Sequence, residues 1–132
     1  MNALNLVFRY NQLTNKRGNM SYYEHVFIAR PEVAPQQVEN VVEDIKKIVS
    51  NEGGKTIYTE YWGLRKLAYK INKSEKGHYS LLRIDSSNSA IKEIERIQKL
   101  NEDILRYITI KTKEISDEPS VMLKSSEKKD VY

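Results

Sequence analysis

Three groups of residues in this sequence have the types that chemistry uses. Gly54-Lys55-Thr56 carries the glycine-lysine-threonine ending of a phosphate-binding loop. That loop needs another glycine five positions before Gly54, a strand ahead of it and a helix after it, so that backbone N–H groups and the lysine can cradle phosphate. Position 49 is Val49 and the helical pattern comes first, so the motif is excluded. His25 and His78 each stand alone in a strand-like run. A metal site needs more ligands converging on them, and no carboxylate stands at a ligand spacing. Both are read as structural or surface residues, and no metal is expected. No glycine-flanked serine nucleophile occurs. The acids fall mostly on helix surfaces, so no catalytic residue, cofactor or small-molecule substrate is assigned.

The third group is cationic. Residues 62–71 read WGLRKLAYKI. From Leu64 the run alternates as a strand does. Arg65, Leu67, Tyr69 and Ile71 point one way, and Leu64, Lys66, Ala68 and Lys70 the other. Cations held on such a run meet phosphate as point charges and do not read sequence. Arg65, Lys66, Lys70 and Lys73, with Arg106 later in the chain, are therefore the candidate RNA-binding residues.

These side chains need a scaffold, and composition bounds it. A chain of 132 residues, 39% of them hydrophobic, builds one domain with a modest core. It has no cysteine, which removes disulfides, thiol nucleophiles and thiolate metal sites. No apolar run approaches membrane-spanning length, and no membrane partner is expected. The net charge of +4 is mild, but it is unevenly spread. Between residues 55 and 83, seven cations face only Glu60 and Glu75. Residues 32–52 have the opposite bias, with Lys46 and Lys47 against five acids. A basic hairpin is an electrostatic footprint for phosphate.

The elements follow from periodicity. Residues 22–29, YYEHVFIA, form a strand with Tyr23, Phe27 and Ala29 on one side and Val26 and Ile28 on the other. Residues 35–52 form a helix whose Val38, Val41, Val42, Ile45, Ile48 and Val49 make one core-facing stripe. Pro35 suits its first turn and Gly53-Gly54 its end. Residues 55–72 are extended, and Gly63 inside them marks a bulge. Residues 73–77 read as the hairpin connection and residues 78–85 as the returning strand. Capping residues 86–89 open a second helix carrying Ala90, Ile91, Ile94, Ile97 and Leu100. Residues 104–112, ILRYITIKT, form the last strand.

The order β-α-β-β-α-β is the ferredoxin-like split pattern of the α+β class. Right-handed crossovers put two helices on one face of a four-stranded antiparallel sheet. The other face is open. Val26, Ile28, Ile108 and Ile110 on it would form an exposed apolar patch, the mark of a protein-partner face. The domain is expected to span residues 20–114. Residues 1–19 have three cations, no acid and no serine, and Met20 opens the first strand. A mitochondrial presequence would be basic too, but these cations do not line one face. The segment is read as an extension produced by a misplaced start. Residues 115–132 are polar and are expected to be a disordered tail. The same strand and helix order occurs in RRM domains, but residues 77–84, GHYSLLRI, lack their glycine-aromatic stacking motif.

At this point the cationic run becomes specific. Residues 63–72, GLRKLAYKIN, resemble the signature of the bacterial small-subunit ribosomal protein S6 family, and Tyr23-Glu24 and Gly77-His78-Tyr79 fit it as well. The resemblance covers residues 20–114. It implies a ferredoxin-like fold without catalysis, and a cytoplasmic, ribosomal location. It also implies binding to the central domain of small-subunit (16S) ribosomal RNA, as a heterodimer with ribosomal protein S18, during assembly. Two other readings compete with it. One is a non-ribosomal ferredoxin-like RNA-binding or regulatory module. The other is a small enzyme of the acylphosphatase kind, which Arg30-Pro31-Glu32 argues against because it lacks the glycines of an anion-cradling loop.

Overall fold

The computed structural model describes residues 20–120. Residues 1–19, the expected extension, and residues 121–132, most of the expected tail, lie outside the described residues. The chain runs β1 Met20–Ala29, α1 Pro35–Asn51, β2 Lys55–Ile71, β3 Ser74–Ser87, α2 Asn88–Leu100 and β4 Ile104–Thr112. The strands make one antiparallel sheet in the order β2-β3-β1-β4. This is the ferredoxin-like α+β fold expected from the element order.

Alternation along β1 sets the two faces. Tyr23, His25, Phe27 and Ala29 are buried, while Tyr22, Glu24, Val26 and Ile28 are only partly covered. Tyr23, Phe27 and Ala29 join Leu82 and Ile84 of β3, Val38, Val42, Ile45 and Val49 of α1, and Ile91 and Ile94 of α2 in one core. Both helices therefore cover the same sheet face. Each helix starts and stops where local chemistry dictates. Pro35 occupies the first turn of α1, and the Gln37 side chain accepts from the Ala34 N–H. Gly53, at φ +80°, ends α1 in a conformation that suits glycine. The Ser87 hydroxyl caps α2 by accepting from the Ala90 N–H. One expected core residue is not there: Leu100, at the last position of α2, is 69% exposed.

His25 is fully buried beneath α2. Its Nε2–H donates to Gln98 Oε1 at 2.9 Å, and its Nδ1 accepts from the Thr109 hydroxyl at 2.8 Å. Burial pushes its pKa down, and the bond to Gln98 offsets this only in part. The ring is thus a neutral structural group with both nitrogens satisfied, as its isolation in the sequence suggested.

The long hairpin departs from simple alternation in three places, the first between Thr56 and Tyr58. Gly63 has φ +84°, and the β2–β3 register shifts between Tyr61 and Gly63, so the expected bulge is present. A Cβ added there would meet nothing within 4 Å, so any cost of substitution comes from the backbone alone. Gly63→Val should lose about 1–3 kcal/mol. Gly63→Asn should lose clearly less, because asparagine tolerates positive φ. Denaturant unfolding of the two variants checks this, and equal losses would mean that the conformation is not the cause. Further along, the register slips again between Lys66 and Ile71. Leu67 and Ile71 are buried there, but Tyr69, expected to share their side, is 63% exposed. The turn also differs from expectation. It is the pair Asn72-Lys73, both at positive φ, and Ser74 already pairs with Ile71 in β3. Positive φ at both central residues is the primed hairpin geometry that matches strand twist.

Candidate partner and nucleic-acid surfaces

The sheet face away from the helices has two unlike halves. On the β1–β4 half, Val26 stands opposite Ile108, Glu24 opposite Ile110 and Ile28 opposite Arg106. Directly opposed residues share a face, so Val26, Ile28, Ile108 and Ile110 come together as the sequence suggested. Ile108 is 55% exposed and Ile110 52% exposed. Val26, Ile28, Tyr107 and Ile108 line a shallow depression of about 290 Å³, with Arg106 at its side.

The β2–β3 half is occupied by the chain itself. Arg83 lies opposite Tyr58 and Glu24 in the sheet. Its guanidinium sits over the Tyr58 ring at 5.1 Å and pairs with Glu24 at 3.5 Å. Its Nη1 donates to the carbonyls of Ser116 at 2.8 Å and Glu118 at 2.6 Å. Glu60, also buried, accepts from Tyr58 O–H, Trp62 Nε1–H, the Ser120 N–H and the Ser120 hydroxyl. Residues 115–120, the first part of the expected tail, thus lie against this half of the sheet. Burial alone would raise the Glu60 pKa, but the bonds from Ser120, Trp62 and Tyr58 together hold it below the ordinary glutamate value.

A carboxylate whose pKa is depressed by folding contributes stability that is complete above the ordinary value. That contribution is lost as pH falls through the folded value. Cutting after Glu114 removes both Ser120 donors and both carbonyls on Arg83, although water then reaches the groups left behind. The expected cost is about 2 kcal/mol, or about 10 °C in the melting temperature of a domain this size. The difference from the full chain should shrink in acid, below the ordinary glutamate pKa. Thermal unfolding of both chains across pH checks it, and equal melting temperatures would mean the segment is the dispensable tail that its composition suggests.

The candidate cations lie toward the hairpin end of the sheet, in unequal states. Lys66 and Lys73 are exposed. Lys70 pairs with Glu75 at 3.5 Å, with both side chains about two-thirds exposed. Arg65 is half-buried, and its Nε donates to the Trp62 carbonyl at 2.9 Å, beside the Gly63 bulge. Part of its donor set therefore serves the strand. Arg106 comes to the same end from β4, with its guanidinium 5.5 Å from the centre of the exposed Tyr69 ring. Sequence reading singled out the cations but missed Glu60 and Arg83. The available signal was the Tyr58, Glu60, Trp62 alternation on one side of β2.

The family profile of ribosomal protein S6 matches residues 22–111. The chain belongs to the ribosomal protein S6 family. Among its relatives is the small ribosomal subunit protein bS6 of Maricaulis maris, 49% identical over 104 residues that span 79% of this chain and 89% of that one. The bS6 protein of Hyphomonas neptunium is 47% identical, across 83% of this chain and 98% of its own. The crystal structure of 30S ribosomal protein S6 from Thermotoga maritima superposes with a TM-score of 0.66 at 29% identity, covering 86% of this chain and 99% of that one. Family membership makes the chain a structural protein of the small ribosomal subunit, located in the cytoplasm, and not an enzyme. Among the described residues, no group of three or more histidines or acids could hold a metal ion, and no helix is long and apolar enough to cross a membrane.

Proposed function

We propose that the chain binds the central domain of small-subunit ribosomal RNA as a heterodimer with ribosomal protein S18 during subunit assembly. The observation that carries this reading is the pairing of two unlike surfaces on one molecule. The β1–β4 half of the open sheet exposes Ile108 and Ile110 beside Val26 and Ile28. The hairpin end next to it carries Lys66, Lys70, Lys73 and Arg106. An exposed apolar patch of this kind suits a protein partner. The cations suit phosphate, through contacts that respond to salt and shape more than to sequence. Arg65 has the smaller share, since Trp62 already holds its Nε. The test is a titration of the RNA central domain with the chain alone, S18 alone and both together. The reading expects tight, salt-sensitive binding only with both proteins present. Equal binding by the chain alone would remove the heterodimer from the account.

A further inference from the structure

A cleft of about 420 Å³ opens where the hairpin turn meets the end of α2 and the start of β4. Its volume falls within the range of small-ligand sites, roughly 300–1,000 Å³. Ile71 and Leu105 supply apolar wall, while Asn72, Gln98, Lys99 and Arg106 supply polar groups. Three of these four have donors to spare. Lys99 is exposed, with no ion pair among the described residues. Gln98 is only 2% exposed and its Oε1 is committed to His25, so its amide NH₂ is the group it has left to offer. Asn72 sits at the turn, where its side chain is exposed. Arg106 joins the cleft to the exposed Tyr69 ring, so the lip of the cleft is an arginine stacked on an aromatic.

A donor-rich cleft with apolar walls and a cationic rim fits a flat ligand that carries acceptors and an attached anion. We propose that this cleft receives a single unpaired nucleotide extruded from RNA, its base between Ile71 and Leu105 and its phosphate on Lys99 and Arg106. Asn72 and Gln98 would donate to base carbonyls or ring nitrogens. Where proteins recognise loops, bulges and ends of RNA, they do so through such unstacked bases, held by aromatic rings, guanidinium planes and edge hydrogen bonds. No acid is among the described residues that line the cleft, and Asp103, just before β4, is paired with Arg30 at 2.5 Å. The inference rests on the RNA-binding reading above and adds a defined pocket to it.

The test uses the isotope-labelled full chain titrated with adenosine 5′-monophosphate and, separately, with inorganic phosphate, both followed by NMR. Saturable shifts at Asn72, Gln98 and Arg106 with the nucleotide, and not with phosphate, are expected. Lys99→Glu and Asn72→Gly should each weaken that binding by about fivefold or more. Glycine keeps the positive φ that the turn requires, and unchanged melting temperatures confirm that the variants fold. The double variant, tested with S18 on the RNA central domain, should also bind more weakly. No nucleotide shift, the same response to phosphate alone, or wild-type RNA affinity in the double variant would overturn the pocket and leave the ribosomal reading standing. Failure of the wild-type pair to bind the RNA at all would overturn both.

Discussion

Ile108→Lys is expected to abolish binding of the S18 partner while the isolated chain stays folded. Ile108 is more than half exposed on the open sheet, so its replacement changes little in the free domain, by less than about 0.5 kcal/mol. In the complex the same side chain would lie against Val26 in an apolar contact. The nearest acid in register, Glu24, is already paired with Arg83, and Arg106, one pair away on the other side, adds like charge. Burying an unpaired charge costs several kcal/mol, which corresponds to an affinity loss of more than about a hundredfold. Leu100→Lys is the control. Leu100 is even more exposed, but it ends α2, on the helix-covered side of the sheet, so partner affinity should not change. Calorimetric titration of both variants with S18 decides the matter. If Ile108→Lys binds within about threefold of wild type, the β1–β4 face is not the interface.

The parts of this molecule that were legible in the sequence are those written locally. The stripe from Val38 to Val49 repeats at helical spacing, with a proline before it and glycines after it, and α1 runs from Pro35 to Asn51. Gly63 announced its bulge because an interior glycine has few other uses in a strand. The alternation in β1 and β4 put Val26, Ile28, Ile108 and Ile110 on one face. Where alternation breaks without a glycine to mark it, the sequence gives no warning. Tyr69 stands two residues from both Leu67 and Ile71, yet the register slip between Lys66 and Ile71 turns it outward and frees it to meet Arg106. The turn at Asn72-Lys73 was obscured because lysine carries no preference for the φ of +69° it adopts. The contact between Glu60 and Ser120 spans sixty residues, so no local pattern could reveal it. What a single sequence conveys least is which polar groups find each other across the fold, and that pairing determines which cations remain available for RNA.

Lys66, Lys70 and Lys73 are such cations, and replacing all three with glutamine should weaken RNA binding by the heterodimer on the order of a hundredfold near 0.1 M salt. Each neutralised phosphate releases somewhat less than one counter-ion, so the log–log slope of affinity against salt should flatten by about two units. Arg65 is left in place deliberately, because its Nε bond to the Trp62 carbonyl braces the bulge and its loss would mix folding with binding. The three lysines carry no such duty. Lys66 and Lys73 are exposed, and the pair between Lys70 and Glu75 is wide and open to solvent, so it adds little to stability. Freeing Glu75 would add a repulsive charge toward the RNA, which strengthens the expected loss. Partner affinity should be unaffected, since none of the three lies on the β1–β4 face. Lys46 and Lys47 on α1 provide the matched control. Their replacement by glutamine removes surface charge from the helix-covered side and should leave the salt slope almost unchanged. A triple variant that keeps the full wild-type slope would place the RNA elsewhere on the molecule, whatever its absolute affinity.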